Sequence, residues 1–204
     1  MKVLFATTNP AKIKKYYDGL LKQGIELITI KDIDINIKVD ENGNTAIENA
    51  CIKAKTYYDL TGIPTIGMDN NLFIDDLPEE KQPGTYVRRV NGKELSDEEM
   101  IEYYTNLVKQ QGGKVSAKWV YGMAIYSKNG VKTYTWNKED FYLLDTPSKN
   151  RNPGYPLDYI ALIPKYNKYL VDLSVDEKKE NNISSSKDDR VIEFIVNSLK
   201  NIEG

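Results

Sequence analysis

Histidine is missing altogether from the 204 residues. Its absence excludes Ser-His-Asp and Cys-His nucleophile chemistry and any imidazole metal site. Carboxylates, lysines and a bound metal are left as the means of catalysis, and carboxylate oxygens suit hard Mg²⁺ better than zinc. Cysteine occurs once, as Cys51, so no intrachain disulfide can form. That usage fits a reducing compartment, and a cytoplasmic protein is expected. Neither sign of charge dominates: 28 Lys+Arg stand against 30 Asp+Glu, a formal net charge of -2. Global charge therefore gives no drive toward nucleic acid polymers or anionic membranes, and phosphate binding would have to come from a local group of lysines. The N-terminal stretch holds no long apolar run, so neither a signal peptide nor a membrane span is expected.

What is present is ordinary for a globular protein, 40% hydrophobic and 28% charged. The length suits one large domain, residues 1–204, or two small lobes with a sizeable core. Val3–Ala6 reads as a buried strand, and Ile13, Tyr16, Tyr17, Leu20 and Leu21 recur at helical spacing up to Gly24. Glu26–Ile30 reads as a second strand. Thr45 and Glu48 form a capping-box pair before the apolar stripe Ile47, Ala50, Cys51, Ala54 and Tyr58, which Gly62 and Pro64 end. PTIGMD and LFIDDL read as two further strands. Ser96 and Glu99 open another helix through Leu107. Strands AKWVYGMAIYS and VKTYTW flank Lys128-Asn129-Gly130, a hairpin turn. DYIALIP reads as a strand, Val175–Lys187 as a polar mobile stretch, and Val191 to Ile202 as a final helix. Helices alternating with strands early, and a hairpin later, predict an α/β fold with a mixed central sheet flanked by helices, without internal repeats or a linker.

Four short stretches can carry chemistry. In Thr7-Thr8-Asn9-Pro10-Ala11-Lys12 a strand turns into a helix, whose N-terminus offers free N–H groups to an anion, with hydroxyls, an amide and the Lys12 charge beside them. The plainer reading is a capped helix, since the glycines of a Walker loop are missing. Glu48 and Lys53 can bind metal and phosphate, or be a cap and a solvated lysine. Asp69, with Asn70 and Asn71, ends an apolar run; that is a usual place for a catalytic carboxylate in α/β folds, and equally for an Asx turn. Gly154-Tyr155 sits in a loop where the ring can stack on a base, and Lys178 lies in a charged run.

Taken in order, these stretches resemble the inosine triphosphate pyrophosphatase family, the non-canonical purine nucleoside triphosphate pyrophosphatases. That family opens T/S-G-N-x-x-K, where this chain has Thr7, Thr8, Asn9 and Lys12. Its T-x-x-E-N-A-x-x-K-A block is matched in full by Thr45, Glu48, Asn49, Ala50, Lys53 and Ala54. TGIPTIGMDNNL echoes its T-G-x-P-x-x-A-D-D-S-G-L, and Pro83 to Arg89 its P-G-x-Y-S-A-R. Gly154-Tyr155 echoes G-Y-D-P, and Val171 to Ser174 with Glu177-Lys178 echoes A-E-L-T-x-x-E-K.

The resemblance implies hydrolysis of a nucleoside triphosphate to monophosphate and pyrophosphate, for nucleotide-pool sanitation, in a cleft between two lobes of a homodimer. It implies Mg²⁺, or Mn²⁺, on Glu48 and Asp69, with Asp69 also the catalytic base or water-orienting group. Thr7, Thr8, Asn9, Lys12, Lys53 and Lys178 would hold phosphates, Asn70 would contact substrate, and Gly154 and Tyr155 would lie at the base end. The chain departs from the family at Met68, Asn70-Asn71 and Pro156. It departs again at Ile183-Ser184-Ser185-Ser186, where the family's I-S-H-R carries nucleotide-recognising groups, so weaker base discrimination is expected. These losses leave a second reading open, a non-catalytic nucleotide-binding sensor or regulator.

Overall fold

The computed structural model describes residues 1–33, 35, 37, 39–137, 141–151, 154–183 and 187–200. In chain order its elements are β1 (Lys2–Phe5), α1 (Pro10–Leu21), β2 (Glu26–Thr29), α2 (Ala46–Thr61), β3 (Thr65–Ile74), β4 (Arg89–Val90), β5 (Lys93–Glu94) and α3 (Asp97–Gln110). They continue with β6 (Lys114–Ser127), β7 (Gly130–Asn137), β8 (Phe141–Leu144), β9 (Ala161–Ile163), β10 (Lys168–Tyr169), α4 (Val175–Ile183) and α5 (Lys187–Lys200). The α/β class and mixed sheet expected from the sequence are what the chain forms. It divides into two compact units, Met1–Asn70 with Val120–Trp136 and Ser186–Gly204, and Asn71–Trp119 with Asn137–Ser185. The chain passes from one unit to the other within β3 and within β6.

In the first unit the strand order is β2-β1-β3-β6, with β7 beside β6. β1 pairs in parallel with both β2 and β3. Successive β1 side chains point to opposite faces, and the packing follows that alternation. Val3 and Phe5 are buried with Tyr16 and Leu20 of α1 and Val191 and Ile195 of α5. Leu4 and Ala6 are buried with Tyr57 of α2. The chain runs from β1 to β2, then crosses to β3 on β1's other side. The carboxyl end of β1, between β2 and β3, is thus a topological switch point, the usual ligand position in open α/β sheets.

Helix α2 lies on its face backbone to backbone. A side chain at Gly67 of β3 would sit 2.0 Å from the Ala50 carbonyl oxygen, and one at Gly122 of β6 would sit 2.5 Å from the Ile47 nitrogen. Ala46, Ala50 and Ala54, one helical turn apart, present the small face this requires, and Ala50 and Ala54 pack with Ala124.

In the second unit β8 pairs antiparallel with β6 and with β9, and β9 with β10. Its core joins Leu72 and Ile74 to Met100, Tyr104 and Val108 of α3, and to Phe141, Leu143 and Ile160. Several local expectations change. PTIGMD and LFIDDL are one strand, β3. DYIALIP begins inside a 3-10 turn, Pro156–Tyr159, and only its Ala161–Ile163 is a strand, the short β9. Part of the stretch expected to be mobile is helix α4, opened by Ser174 and Glu177, which hydrogen-bond each other's backbone N–H groups.

Candidate active site

β1 leaves the sheet after Phe5, while β3 runs on beyond its pairing with β1 at Ile66. The turn that follows β1 is built by its own side chains. Thr7 Oγ1 accepts the Asn9 N–H at 3.2 Å, and Asn9 Oδ1 accepts the Lys12 N–H at 3.4 Å. Asn9 is therefore the N-cap of α1, with Pro10 at the first helical position. The cap sets Lys12 on the first turn beside Lys53, Asp69 and Glu41, whose charges all act on it. Burial first, and the Lys53 ammonium second, push Lys12 from 10.5 down to about 8, against the opposing pull of Asp69 and Glu41.

Lys53 is the hub. Its side chain is 13% exposed, and its Nζ lies 2.8 Å from Glu41 and 3.6 Å from Asp69 and donates to the Met68 carbonyl at 3.3 Å. Gly67 sets this meeting, because the close approach of α2 to β3 carries Lys53 onto the backbone that follows Gly67. Met68, at the family's first aspartate, buries its side chain in the core and offers only its carbonyl.

Glu41 is the residue that sequence reasoning missed. Its place depends on how the loop before α2 folds back. Asn49, 1% exposed, accepts the Gly43 N–H at 2.8 Å, and Glu48 accepts the Asn44 N–H at 2.7 Å. Thr45 Oγ1 accepts the Glu48 N–H at 3.2 Å, so half the expected capping box forms and the Glu48 carboxylate bonds one residue upstream of the cap. The one available signal was the Asp40-Glu41 pair just before the Asn42-Gly43-Asn44 turn. Among the described residues no three Asp, Glu, Cys or His side chains stand close enough to hold a metal by themselves.

Gly154, Tyr155 and Lys178 belong to the second unit. Gly154 has φ +88° and Tyr155 is 46% exposed. Pro156 begins the 3-10 turn, where its missing N–H costs nothing. Lys178 donates to the Val171 carbonyl at 3.4 Å. Asn70, part-buried, follows Asp69 on β3. Ser184, Ser185 and Ser186 lie outside the described residues.

The fold is that of the Ham1 proteins. It matches the solved structure of the Staphylococcus aureus Ham1 protein with a TM-score of 0.76 over 97% of this chain and 100% of that one, at 23% identity. A Ham1 protein structure from Coxiella burnetii matches with the same score over 98% and 99%. The Ham1 family model matches residues 3–187, and the chain belongs to that family. Relatives named dITP/XTP pyrophosphatase include that of Aquifex aeolicus, 30% identical over 213 residues covering 100% of this chain and 98% of the relative. That of Leptospira interrogans is 28% identical over 197 residues, covering 95% and 96%.

Proposed function

We propose that the chain hydrolyses non-canonical purine nucleoside triphosphates to monophosphate and pyrophosphate, clearing them from the nucleotide pool. The observation that carries the reading is the gathering of Glu41 and Asp69 on Lys53, within reach of the Lys12 charge, where β1 ends beside the middle of β3, in a chain whose relatives are named dITP/XTP pyrophosphatase. The two lysines can bind polyphosphate oxygens, and the carboxylates beside them can hold a divalent cation and keep an oxygen base at hand.

The divalent ion, Mg²⁺ or Mn²⁺, would rest on Asp69 and Glu48, while Glu41 shares the Lys53 ammonium with Asp69. Such a set is too small to enclose an ion. It fits Mg²⁺, which fills most of its shell with water and substrate phosphate oxygens. Once bound, the ion supplies charge neutralisation on the phosphates. Lys12 and Lys53 bind the phosphate oxygens together with Thr7, Thr8, Asn9 and Lys178. Asn70 contacts the substrate, and Gly154 with Tyr155 meets the base. Asp69 orients a water toward the α-phosphorus and takes its proton as the new P–O bond forms. The bond from the α-phosphorus to the bridging oxygen breaks, and pyrophosphate leaves with that electron pair. A cytoplasmic homodimer completes the proposal. Among the described residues no helix is long and apolar enough to cross a membrane.

The test is pyrophosphate release from inosine, xanthosine, guanosine, adenosine and pyrimidine triphosphates, with and without Mg²⁺. Metal-dependent turnover of the inosine and xanthosine compounds supports the proposal. Nucleotide binding without turnover supports a sensor instead.

A further inference from the structure

Two carboxylates grip the segment that leads into Gly154 and Tyr155, and the reaction as drawn uses neither. At the near end Asp172 accepts the Ser148 hydroxyl, 2.9 and 3.0 Å from its two oxygens, and the Asn150 side-chain amide at 2.8 Å. Ser148 Oγ accepts the Asn150 N–H at 3.1 Å, and the Arg151 guanidinium donates to the Ser148 carbonyl while lying over the Tyr159 ring. At the far end Asp97 Oδ2 accepts the backbone N–H of Gly154 at 2.6 Å, across 57 positions of sequence. Asp97 Oδ1 accepts from Arg88 at 2.8 Å, and the other terminal nitrogen of Arg88 donates to the Leu95 carbonyl at 3.0 Å. An acidic residue in the first turn of a helix needs only the helix dipole to explain it. Asp97 does more: its two oxygens join an arginine to one particular loop amide. Both bonds are charge-assisted and directional. They hold the Asp97 carboxyl below the usual carboxylate range, the Gly154 N–H more than Arg88. Downstream of Tyr155 the chain is anchored again, because Pro156, Leu157 and Tyr159 are buried. The half-exposed Tyr155 ring thus stands between a buried anchor and a backbone amide pinned by Asp97.

We propose that Asp97, held by Arg88, is a positioning residue for base recognition: it fixes the backbone at Gly154 and thereby the pose of Tyr155 against the nucleobase. This rests on the assignment of Gly154 and Tyr155 to the base end. The proposed reaction gives Asp97 no part in binding the phosphates or in moving the proton, so its loss should be felt in affinity and in choice of base.

The experiment compares wild type, Asp97→Ala, Asp97→Asn and Tyr155→Ala in steady-state turnover of inosine and adenosine triphosphates, with inorganic triphosphate as competing inhibitor. Asp97→Ala should raise KM for inosine triphosphate about ten-fold and narrow the preference over adenosine triphosphate, with kcat changed by less than about three-fold. Inhibition by inorganic triphosphate, which has no base, should stay as in wild type. Asp97→Asn keeps an acceptor for Gly154 but loses the charge facing Arg88, so it should lie between Asp97→Ala and wild type; its near-identical shape carries the test should Asp97→Ala fail to fold. Wild-type KM and base preference in the Asp97 variants, while Tyr155→Ala raises KM, would overturn the inference and leave the base-end assignment standing. Unchanged KM in all variants would overturn both. Loss of inorganic triphosphate inhibition in step with the rise in KM would reduce Asp97 to general support of the fold.

Discussion

Asp69 and Lys12 carry the most distinct consequences for single side chains. Asp69→Asn keeps the shape but loses the basic oxygen and one metal donor, so turnover should fall on the order of 10²-fold or more with the melting temperature nearly unchanged. Steady-state kinetics beside thermal melting checks this, and near-normal turnover would move the base elsewhere. Lys12 ties the site to pH. Its folded value of about 8 lies below the ordinary 10.5, so between those values the unfolded chain holds more protons than the folded one. This group therefore makes stability rise with pH across that window and adds no slope below it. A bound polyphosphate favours the ammonium, so binding near pH 8 should take up a fraction of a proton. Calorimetric titration with inorganic triphosphate in two buffers of different ionisation enthalpy reads that uptake directly. Equal proton uptake by wild type and Lys12→Ala would place Lys12 away from the phosphates.

At the scale of elements, α2 and the loop before it decide whether the charged group assembles. Gly67→Ala would drive a methyl into the Ala50 carbonyl, an atom that yields only if the whole helix shifts. A cost of about 3 kcal/mol is expected, with loss of activity larger than the loss of folded protein explains. Urea unfolding read beside specific activity separates the two effects. Asn49→Ala would leave the Gly43 N–H buried without its acceptor, at a cost of about 1–3 kcal/mol, and would loosen the loop that carries Glu41. The Glu48 carboxylate, bonded to Asn44 of the same loop, should lose its place as well, so the variant should need more Mg²⁺ for half-maximal rate, and a magnesium titration of activity shows whether it does.

At the scale of the molecule, the chain wrote its class plainly and parts of its site obscurely. The parallel strands, α2 and α3 announce themselves through apolar spacing and caps. β3 reads as two strands because Asp69-Asn70-Asn71 interrupts its apolar run. α4 hides because it has little apolar face; its cap and the Lys168–Glu177 and Lys165–Glu180 ion pairs hold it instead. Lys12, Lys53 and Asp69 stand out only through an ordered resemblance, since each alone passes for a surface charge or a cap. Glu41 was not found, because its nearness to Lys53 depends on a loop folding back onto Asn49, which no periodicity records.

In the proposed reaction water attacks the α-phosphorus of a non-canonical purine triphosphate. Turnover of inosine triphosphate with Mg²⁺ in ¹⁸O-water, followed by mass spectrometry of both products, tests it most directly. One ¹⁸O is expected in the inosine monophosphate and none in the pyrophosphate. Label in the pyrophosphate, release of single phosphates, or no turnover would contradict it.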